Sequence, residues 1–410
     1  MKILIVSQYF YPENFKVNDL AVSLKERGHD ITVLTGKPNY PEGRFYKGYG
    51  FFSKRKEEYN GIIIFRVPLI PRGKSSGIML FLNYFSFVLT SCLFILFHRE
   101  RYDVTFVFAT SPITVAFPAI LYRKKYKTLV RREVHAKTLL WVLDLWPESV
   151  GAASNISMNT ANKLLTGMVK YIYRNVDKVL ISSQGFKKSV MDKNVPENKV
   201  YYAPNWAENA FEEAENIDFE KYANMIPRGF IVMFTGNIGE AQDCEAILMT
   251  AKELKNRQND AQIVMVGDGR KRSWLQEQAT KLVLNNIHFT GRYPLEEMPN
   301  IIAHADVLLV SLKDEPIFSL TVPAKIQSYL ASKKPILVML NGEGAEIVKN
   351  SSSGLTCSSG DYISLVDNIE EMQKKTSEER IALGIAGYEY YTSMFLREKV
   401  ISDIEAIMDK

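Results

Sequence analysis

Cations and one carboxylate that follow strand-like runs are the residues of this 410-residue chain best suited to chemistry. Arg270 and Lys271 come just after the apolar run Gln262 to Val266, and Lys325 opens a helical stretch after Thr321-Val322-Pro323. Cations from separate crossovers of a parallel sheet meet at its carboxyl edge, where together they can clamp a diphosphate; singly, each reads as a solvated surface charge. The segment Phe234-Thr235-Gly236-Asn237-Ile238-Gly239 closes a strand and opens a helix. It is either an anion-binding turn with its N–H groups aimed at the ligand, or an ordinary strand-to-helix turn. Asp144 ends the run Leu139 to Leu143 and precedes Leu145-Trp146-Pro147-Glu148-Ser149. A carboxylate there would activate or orient an attacking hydroxyl, or else Asp144 or Ser149 would cap the next helix.

Several other chemistries are disfavoured. Gly73-Lys74-Ser75 looks like the end of a P-loop, but Pro68 stands where the first glycine must be. Gly267-Asp268-Gly269 follows a strand but has Arg272 where a dinucleotide fingerprint needs its third glycine. No Asp-x-Asp pair occurs, and His29, His98, His135, His288 and His304 have no ligand spacing. A diphosphate would then be held without a divalent metal, by side-chain cations and helix N-termini.

The elements that must position these groups follow one rhythm. Ile3 to Val6 reads as a strand and Val17, Leu20, Ala21 and Leu24 as one helix face, stopped at Gly28; strands recur at 31–34, 62–67, 104–108, 139–143, 178–181 and 200–202. After Pro204-Asn205-Trp206 comes an acidic connector with Glu208, Glu212, Glu213, Glu215, Asp218 and Glu220; the rhythm then restarts at 230–234, 262–266, 286–289, 307–311 and 335–338. Alternation of this kind is that of βαβ units in doubly wound parallel sheets. The expected organisation is a domain over 1–205, a linker over 206–228, a second domain over 229–390 and a last helical stretch over 391–410. A 46% hydrophobic and 24% charged chain is globular rather than disordered, and 410 residues exceed one ordinary core. Cys92, Cys244 and Cys357 are odd in number and far apart, which suits buried thiols in a reducing compartment. Four apolar residues after Lys2 are too few for a signal peptide, so the expected location is cytoplasmic.

The run Ile78 to Phe97 is apolar except for Asn83, Ser86, Thr90 and Ser91. It reaches the roughly 20 residues that span a bilayer, but a crossing would split strands of one sheet between two sides. It therefore reads as a buried helix or as one lying in the membrane interface with Phe81, Tyr84, Phe85 and Phe87 partly inserted. Arg123, Lys124, Lys125, Lys127, Arg131 and Arg132 fall within ten positions, and with no RNA-binding signature beside them they suggest an anionic membrane surface rather than nucleic acid. The polar stretch 130–137 has no functional account.

The chain resembles glycosyltransferase family 4, and within it the bacterial O-antigen and capsule branch that includes L-fucosamine transferases of the WbuB type. The resemblance is carried by Gln8-Tyr9-Phe10-Tyr11-Pro12-Glu13 with Asn18-Asp19, Arg27-Gly28-His29, Leu34 to Pro41, Asp144 to Ser149, Pro204-Asn205-Trp206, Gly236 to Gly239 with Gln242, Val266 to Gly269, and Val322 to Ala331. It implies an α/β chain of GT-B fold, two Rossmann-like domains facing a cleft, retention at the anomeric carbon and no cofactor beyond a UDP-sugar donor substrate. In such a site Asp144, Lys325 and Arg270 are catalytic. Donor contacts fall to Gly236, Asn237, Gln242, Asp268, Arg292, Tyr293, Ser319, Leu320, Thr321 and Gln327, and acceptor contacts to Tyr11, Glu13, Asn18 and Trp146. The implied acceptor is an undecaprenyl-diphosphate-linked saccharide at the inner face of the cytoplasmic membrane. Many relatives carry two glutamates eight positions apart, the second on the ribose diol; those positions are Leu320 and Ser328 here, and Asp314, Glu315 or Gln327 are the expected substitutes. A GT-B sugar-nucleotide 2-epimerase and a catalytically silent membrane-bound assembly partner are the competing expectations; a phosphorylase would need a lysine-bound pyridoxal cofactor.

Overall fold

A computed structural model describes residues 1–74, 76–129, 136–153, 159–212 and 217–410. Ser75, Arg131, Arg132, His135, Glu213 and Glu215, and most of the polar stretch 130–137, lie outside the described residues. The chain divides into two compact units, Met1–Ala203 with Ile401–Lys410, and Pro204–Val400.

The first unit is built on strands β1 (Lys2–Val6), β2 (Asp30–Gly36), β3 (Lys56–Tyr59), β4 (Ile62–Val67), β5 (Val104–Ala109), β6 (Lys137–Val142), β7 (Lys178–Ile181) and β8 (Val200–Tyr202), ordered β3-β4-β2-β1-β5-β6-β7-β8. All neighbours run parallel except the edge pair β3 and β4. Every residue of β5 is buried, as a central strand covered on both faces requires, whereas β3 reads Lys-Glu-Glu-Tyr and alternates exposed with half-buried. Its charges suit an unpaired edge, and they are the reason no apolar signal marks it in the sequence. The unit's helices include α1 (Lys16–Glu26), α2 (Gly77–Phe97), α3 (Phe117–Leu129), α4 (Glu148–Ala153), α5 (Asn159–Arg174) and α6 (Phe186–Asp192). Helix α1 buries Val17, Leu20, Ala21 and Leu24, the expected face, and chain reversal after it uses Gly28 at φ 88°.

The second unit holds β9 (Ile231–Thr235), β10 (Gln262–Val266), β11 (Ile287–Gly291), β12 (Val307–Ser311), β13 (Ile336–Met339) and β14 (Gly354–Cys357), all parallel, in the order β11-β10-β9-β12-β13-β14. Both units are therefore doubly wound α/β sheets of the GT-B kind, and each has one topological switch point: between β1 and β5 in the first, between β9 and β12 in the second. Loops leaving the carboxyl ends of those neighbours diverge and open a crevice, which is where such sheets take ligands.

Two expectations need correction. The acidic connector is no free linker: Glu208 accepts a hydrogen bond from Ser328 at 2.6 Å, Glu212 accepts one from Tyr391, and Lys221 pairs with Glu297 at 2.6 Å, so its described residues are part of the second unit. In the basic cluster, Arg123, Lys124 and Lys125 are already engaged by the protein itself. Arg123 pairs with Asp177 at 2.5 Å, Lys124 donates to Tyr171 at 2.7 Å, and Lys125 donates to the carbonyls of Ile95 and Leu96 at 2.9 Å and of His98 at 2.5 Å. Lys125 thereby caps the carboxyl end of α2, where backbone carbonyls lack partners and the helix dipole is negative.

Candidate active site

At the switch point of the second sheet, the loop after β9 and the loop after β10 are knitted together through their backbones. Gly236 N donates to Val266 O, and Ile238 N to Asp268 O, both at 2.8 Å. The contact is so close that only glycine fits: a Cβ on Gly267 (φ 146°) would lie 1.8 Å from Gly236 O, and one on Gly269 (φ 157°) 2.3 Å from Ile238 O. The Gly-x-Gly pair thus serves loop packing rather than a dinucleotide.

Of the two readings of 236–239, this arrangement favours the ordinary strand-to-helix turn over the anion cradle. Its N–H groups at Gly236, Ile238 and Gly239 are spent internally, the last on Gln242 Oε1 at 3.1 Å, and the Asp243 carboxylate caps the following helix Cys244–Asn256. What the loop supports is Lys325. Its Cε would lie 3.2 Å from a Cβ on Gly236, and its Nζ stands 3.3 Å from the centroid of the Phe234 ring. Part of the side chain still meets solvent, but protein crowds the ammonium, and burial lowers its pKa to about 7. Among the described residues no carboxylate forms an ion pair with it, in contrast to neighbouring Lys271, which lies 3.3 Å from Glu240 and over the Trp274 ring. A crowded ammonium held against a ring face, with no carboxylate beside it, is primed for an anion from outside.

The other donor-site candidates are placed as follows. Arg270 and Arg292 are exposed, and Asp268 accepts from Gly269 N at 2.8 Å with Arg272 at 3.8 Å. Asn237 folds over Gly239, and the Gln242 side chain is occupied within its own loop. Tyr293 donates to Thr290 O at 3.2 Å and packs edge-on against Tyr222. Ser319 and Thr321 donate to Pro316 O and Ile317 O, both at 2.8 Å, on either side of Leu320. Gln327 does not offer itself as a ribose ligand: it is 1% exposed, and the end of its amide lies within hydrogen-bond reach of the Pro323 and Ala324 carbonyls at the start of its own helix, Ala324–Ala331. Asp314 accepts from Asn341 at 2.9 Å. The carboxylate that does reach this helix is Glu208, bonded to Ser328 one turn beyond Lys325. Sequence order hides it, because 120 positions separate it from Ser328.

In the first unit, the loop after β1 is a braced cage. Glu13 is 1% exposed; its Oε1 accepts from Asn39 N at 2.8 Å and Tyr40 N at 2.7 Å. Burial raises its pKa to about 7, although those N–H donors and Arg66 oppose the shift. Asn18 accepts from Tyr11 N at 3.0 Å and donates to Glu13 O at 2.7 Å. Glu13 Oε1 and Asn18 therefore brace the loop, Glu13 Oε2 has no hydrogen-bond partner among the described residues, and Tyr11, 40% exposed and stacked on Tyr59 at 3.9 Å, is the member of the motif that faces outwards. Tyr9, Phe15 and Tyr40 form a ring cluster beside it, with the Arg72 guanidinium 5.8 Å from Tyr9 and 5.0 Å from Tyr40.

Asp144 stands two residues past β6, with Ser111, from the loop after β5, and Ser149 and Trp146 near its carboxylate. Burial pushes its pKa up and outweighs those three donors. The Trp146 indole N–H and the Ser149 hydroxyl are buried beside this carboxylate but fall short of hydrogen-bond geometry with it or with any other described residue, so a ligand hydroxyl here would find an acceptor with two donors next to it. Glu148, from the same motif, instead accepts from Ser189 at 2.5 Å and Lys193 at 2.6 Å, pinning α4 to α6. Among the described residues no three His, Cys, Asp or Glu side chains gather as a metal cage would require.

Two doubly wound parallel sheets define the fold class, and the comparisons with known proteins agree with it. Residues 15–206 match the family model of the glycosyl transferase 4-like domain, and residues 229–375 that of the glycosyl transferases group 1. The chain belongs to the GT-B glycosyltransferases. It is 25% identical over 342 residues to WcaI of Escherichia coli (strain K12), assigned by name to colanic acid biosynthesis as a glycosyl transferase; the match spans 81% of each chain. Sucrose-phosphate synthase from Thermosynechococcus elongatus shares the fold with a TM-score of 0.74 at 14% identity, over 99% of this chain and 98% of that one. Anabaena HepE, solved in complex with UDP and glucose, does so with a TM-score of 0.66 at 13% identity over the whole of both chains.

Proposed function

We propose that the chain transfers a sugar from a UDP-sugar to a lipid-diphosphate-linked saccharide, with retention at the anomeric carbon and without a metal ion, at the cytoplasmic face of the membrane carrying that acceptor. The observation that supports it most is Lys325, an ammonium without a carboxylate partner among the described residues, at the switch point of the second sheet. In this reading the diphosphate lies against Lys325 and the first-turn N–H groups of the helix Ala324–Ala331, and Arg270 swings in from the neighbouring loop. The acceptor oxygen bonds to the anomeric carbon on the face from which the diphosphate departs. The carbon–oxygen bond to the β-phosphate breaks, and the acceptor's proton passes to the leaving phosphate oxygen. Charge grows on that oxygen in the transition state, so Lys325 stabilises it more than the bound donor.

Within the first unit Asp144 takes the acceptor hydroxyl, with Trp146 beside it, and Tyr11 contributes from the loop after β1. Glu208 takes the ribose diol, in place of the acid missing at Leu320 and Ser328. A UDP donor is supported by the UDP complex of a protein of this fold, and a polysaccharide acceptor by the name of the colanic acid relative. The sugar fitting the O-antigen and capsule resemblance is an N-acetylated deoxyhexosamine such as L-FucNAc, and the carrier is undecaprenyl diphosphate.

The test is a thermal-shift screen of nucleotide sugars, followed by mass spectrometry of lipid-linked products made with and without a chelator. A lipid product that forms equally in chelator, only with donor and acceptor together, is the expected result. Epimerised donor without acceptor, or turnover abolished by the chelator, contradicts it.

A further inference from the structure

Helix α2 is turned inside out relative to a helix of a soluble domain. Its buried stripe is Asn83, Phe87, Ser91 and Ile95, each 0% exposed, and the polar groups on and beside that stripe bind the domain. Asn83 donates to Ile70 O at 2.6 Å and accepts from Gln8 Nε2 at 2.7 Å; Ser86 accepts from Ile70 N at 2.9 Å; Thr90 donates to Pro68 O at 2.7 Å. The opposite side shows solvent a row of large apolar groups: Ile78 (75% exposed), Phe81 (64%), Phe85 (55%), Leu89 (50%), Leu93 (47%) and Leu96 (49%). At about 100° per residue the two stripes lie on opposite faces of one helix. Twenty-one residues make that apolar face about 30 Å long, far more than scattered surface leucines present.

Charge says what covers it. Exposed Lys74 precedes α2, and exposed Arg99 and Arg101 follow it, so the apolar row has a cation at both ends. We infer that α2 docks lengthwise on an anionic lipid bilayer, its outer row among the acyl chains and Lys74, Arg99 and Arg101 among the headgroups. A spanning helix is ruled out by the sheet, because β4 before it and β5 after it belong to one sheet. Two copies packed through this face would bring like charges at the helix ends together. Asn83 ties the docked helix to the loops after β1, through Gln8, and after β4, through Ile70, both at the carboxyl edge of the first sheet. If the proposed acceptor reading holds, docking sets that edge against the headgroups; the docking itself does not depend on that reading.

The experiment is flotation of the full chain with vesicles of phosphatidylcholine alone or mixed with phosphatidylglycerol. The wild-type chain is expected to float with the anionic vesicles. Phe81→Ser, Phe85→Ser and Leu89→Ser together should lower partition at least about tenfold with unchanged melting temperature. Lys74→Gln, Arg99→Gln and Arg101→Gln together should weaken anionic binding by up to roughly 100-fold and remove its salt dependence. Resistance to alkaline carbonate, equal binding to neutral and anionic vesicles, or a dimer that the apolar triple variant dissociates would each overturn the inference. Since flotation needs no turnover, its failure leaves the transferase reading untouched, and loss of turnover leaves docking untouched.

Discussion

Lys325 carries its charge where the protein supplies no counter-charge, and that has two measurable consequences. Its pKa of about 7 means the folded chain has shed a proton that the unfolded chain keeps up to about 10.5, so apo stability rises with pH across that window and the full penalty applies below it. Lys325→Met, which keeps the length and removes the charge, is expected to raise the apo melting temperature at pH 7 by about 2–4 °C while lowering kcat by roughly 100-fold or more. Calorimetry and steady-state rates read the two sides separately. Glu13 titrates with the opposite sign. Its pKa is raised from 4.5 to about 7, so the folded state holds a proton that the unfolded state loses in between, and stability falls as pH rises through that range. Melting curves at pH 5 and pH 7.5 should show a drop that Glu13→Gln reduces by roughly 3–6 °C; an unchanged drop would mean Glu13 is not the group responsible. For Glu208, binding of UDP and 2′-deoxy-UDP is the discriminating measurement. The wild type should prefer the ribonucleotide and Glu208→Gln should not, whereas a purely structural role would weaken both equally.

At the scale of elements, the strands and the α1 face were legible because continuous apolar runs and i, i+3, i+4 spacing are local signals. The strands β3 and β14 were not: one is a charged edge and the other four half-buried residues that begin with glycine. Burial direction is not a local signal either, and so α2 reads in sequence as a buried or an interfacial helix, while its structure buries Asn83 and exposes Phe81. In the same way the α3 cations look like a patch until Asp177, Tyr171 and the end of α2 are seen to use them. The motif residues were recognisable, but their division of labour was not. Tyr11 faces outwards and Lys325 lies against the Phe234 ring with no carboxylate paired to it among the described residues, whereas Glu13, Asn18, Gln242 and Gln327 hold loops and helix ends. The glycine loops make the sharpest prediction at this scale. Gly267→Ala places a methyl group 1.8 Å from Gly236 O, and should cost about 3 kcal/mol or more, or prevent the second unit from folding. A soluble variant with wild-type denaturant stability would contradict that packing.

Across the whole molecule, the chain's last residues complete the first unit. Ile401, Ile404 and Met408 are 0% exposed and Ile407 6%, Glu405 pairs with Arg27 at 3.0 Å and His29 at 2.7 Å, and Lys137 donates to Asp409 O at 2.6 Å and Met408 O at 3.2 Å, with Lys178 on Ile407 O. Two ammonium groups thus satisfy terminal carbonyls at the negative end of the last helix. Deleting residues 401–410 removes four buried apolar side chains worth about 1.5–3 kcal/mol each, so calorimetry should show loss or early melting of one transition with the other retained. The central claim, that Lys325 receives the diphosphate of a nucleotide sugar, is tested most directly by a crystal structure with UDP. A β-phosphate oxygen about 2.7–3.1 Å from Lys325 Nζ, with the ribose beside Glu208, is the predicted result. A nucleotide bound in the second unit with its phosphates turned away from Lys325 would contradict the account.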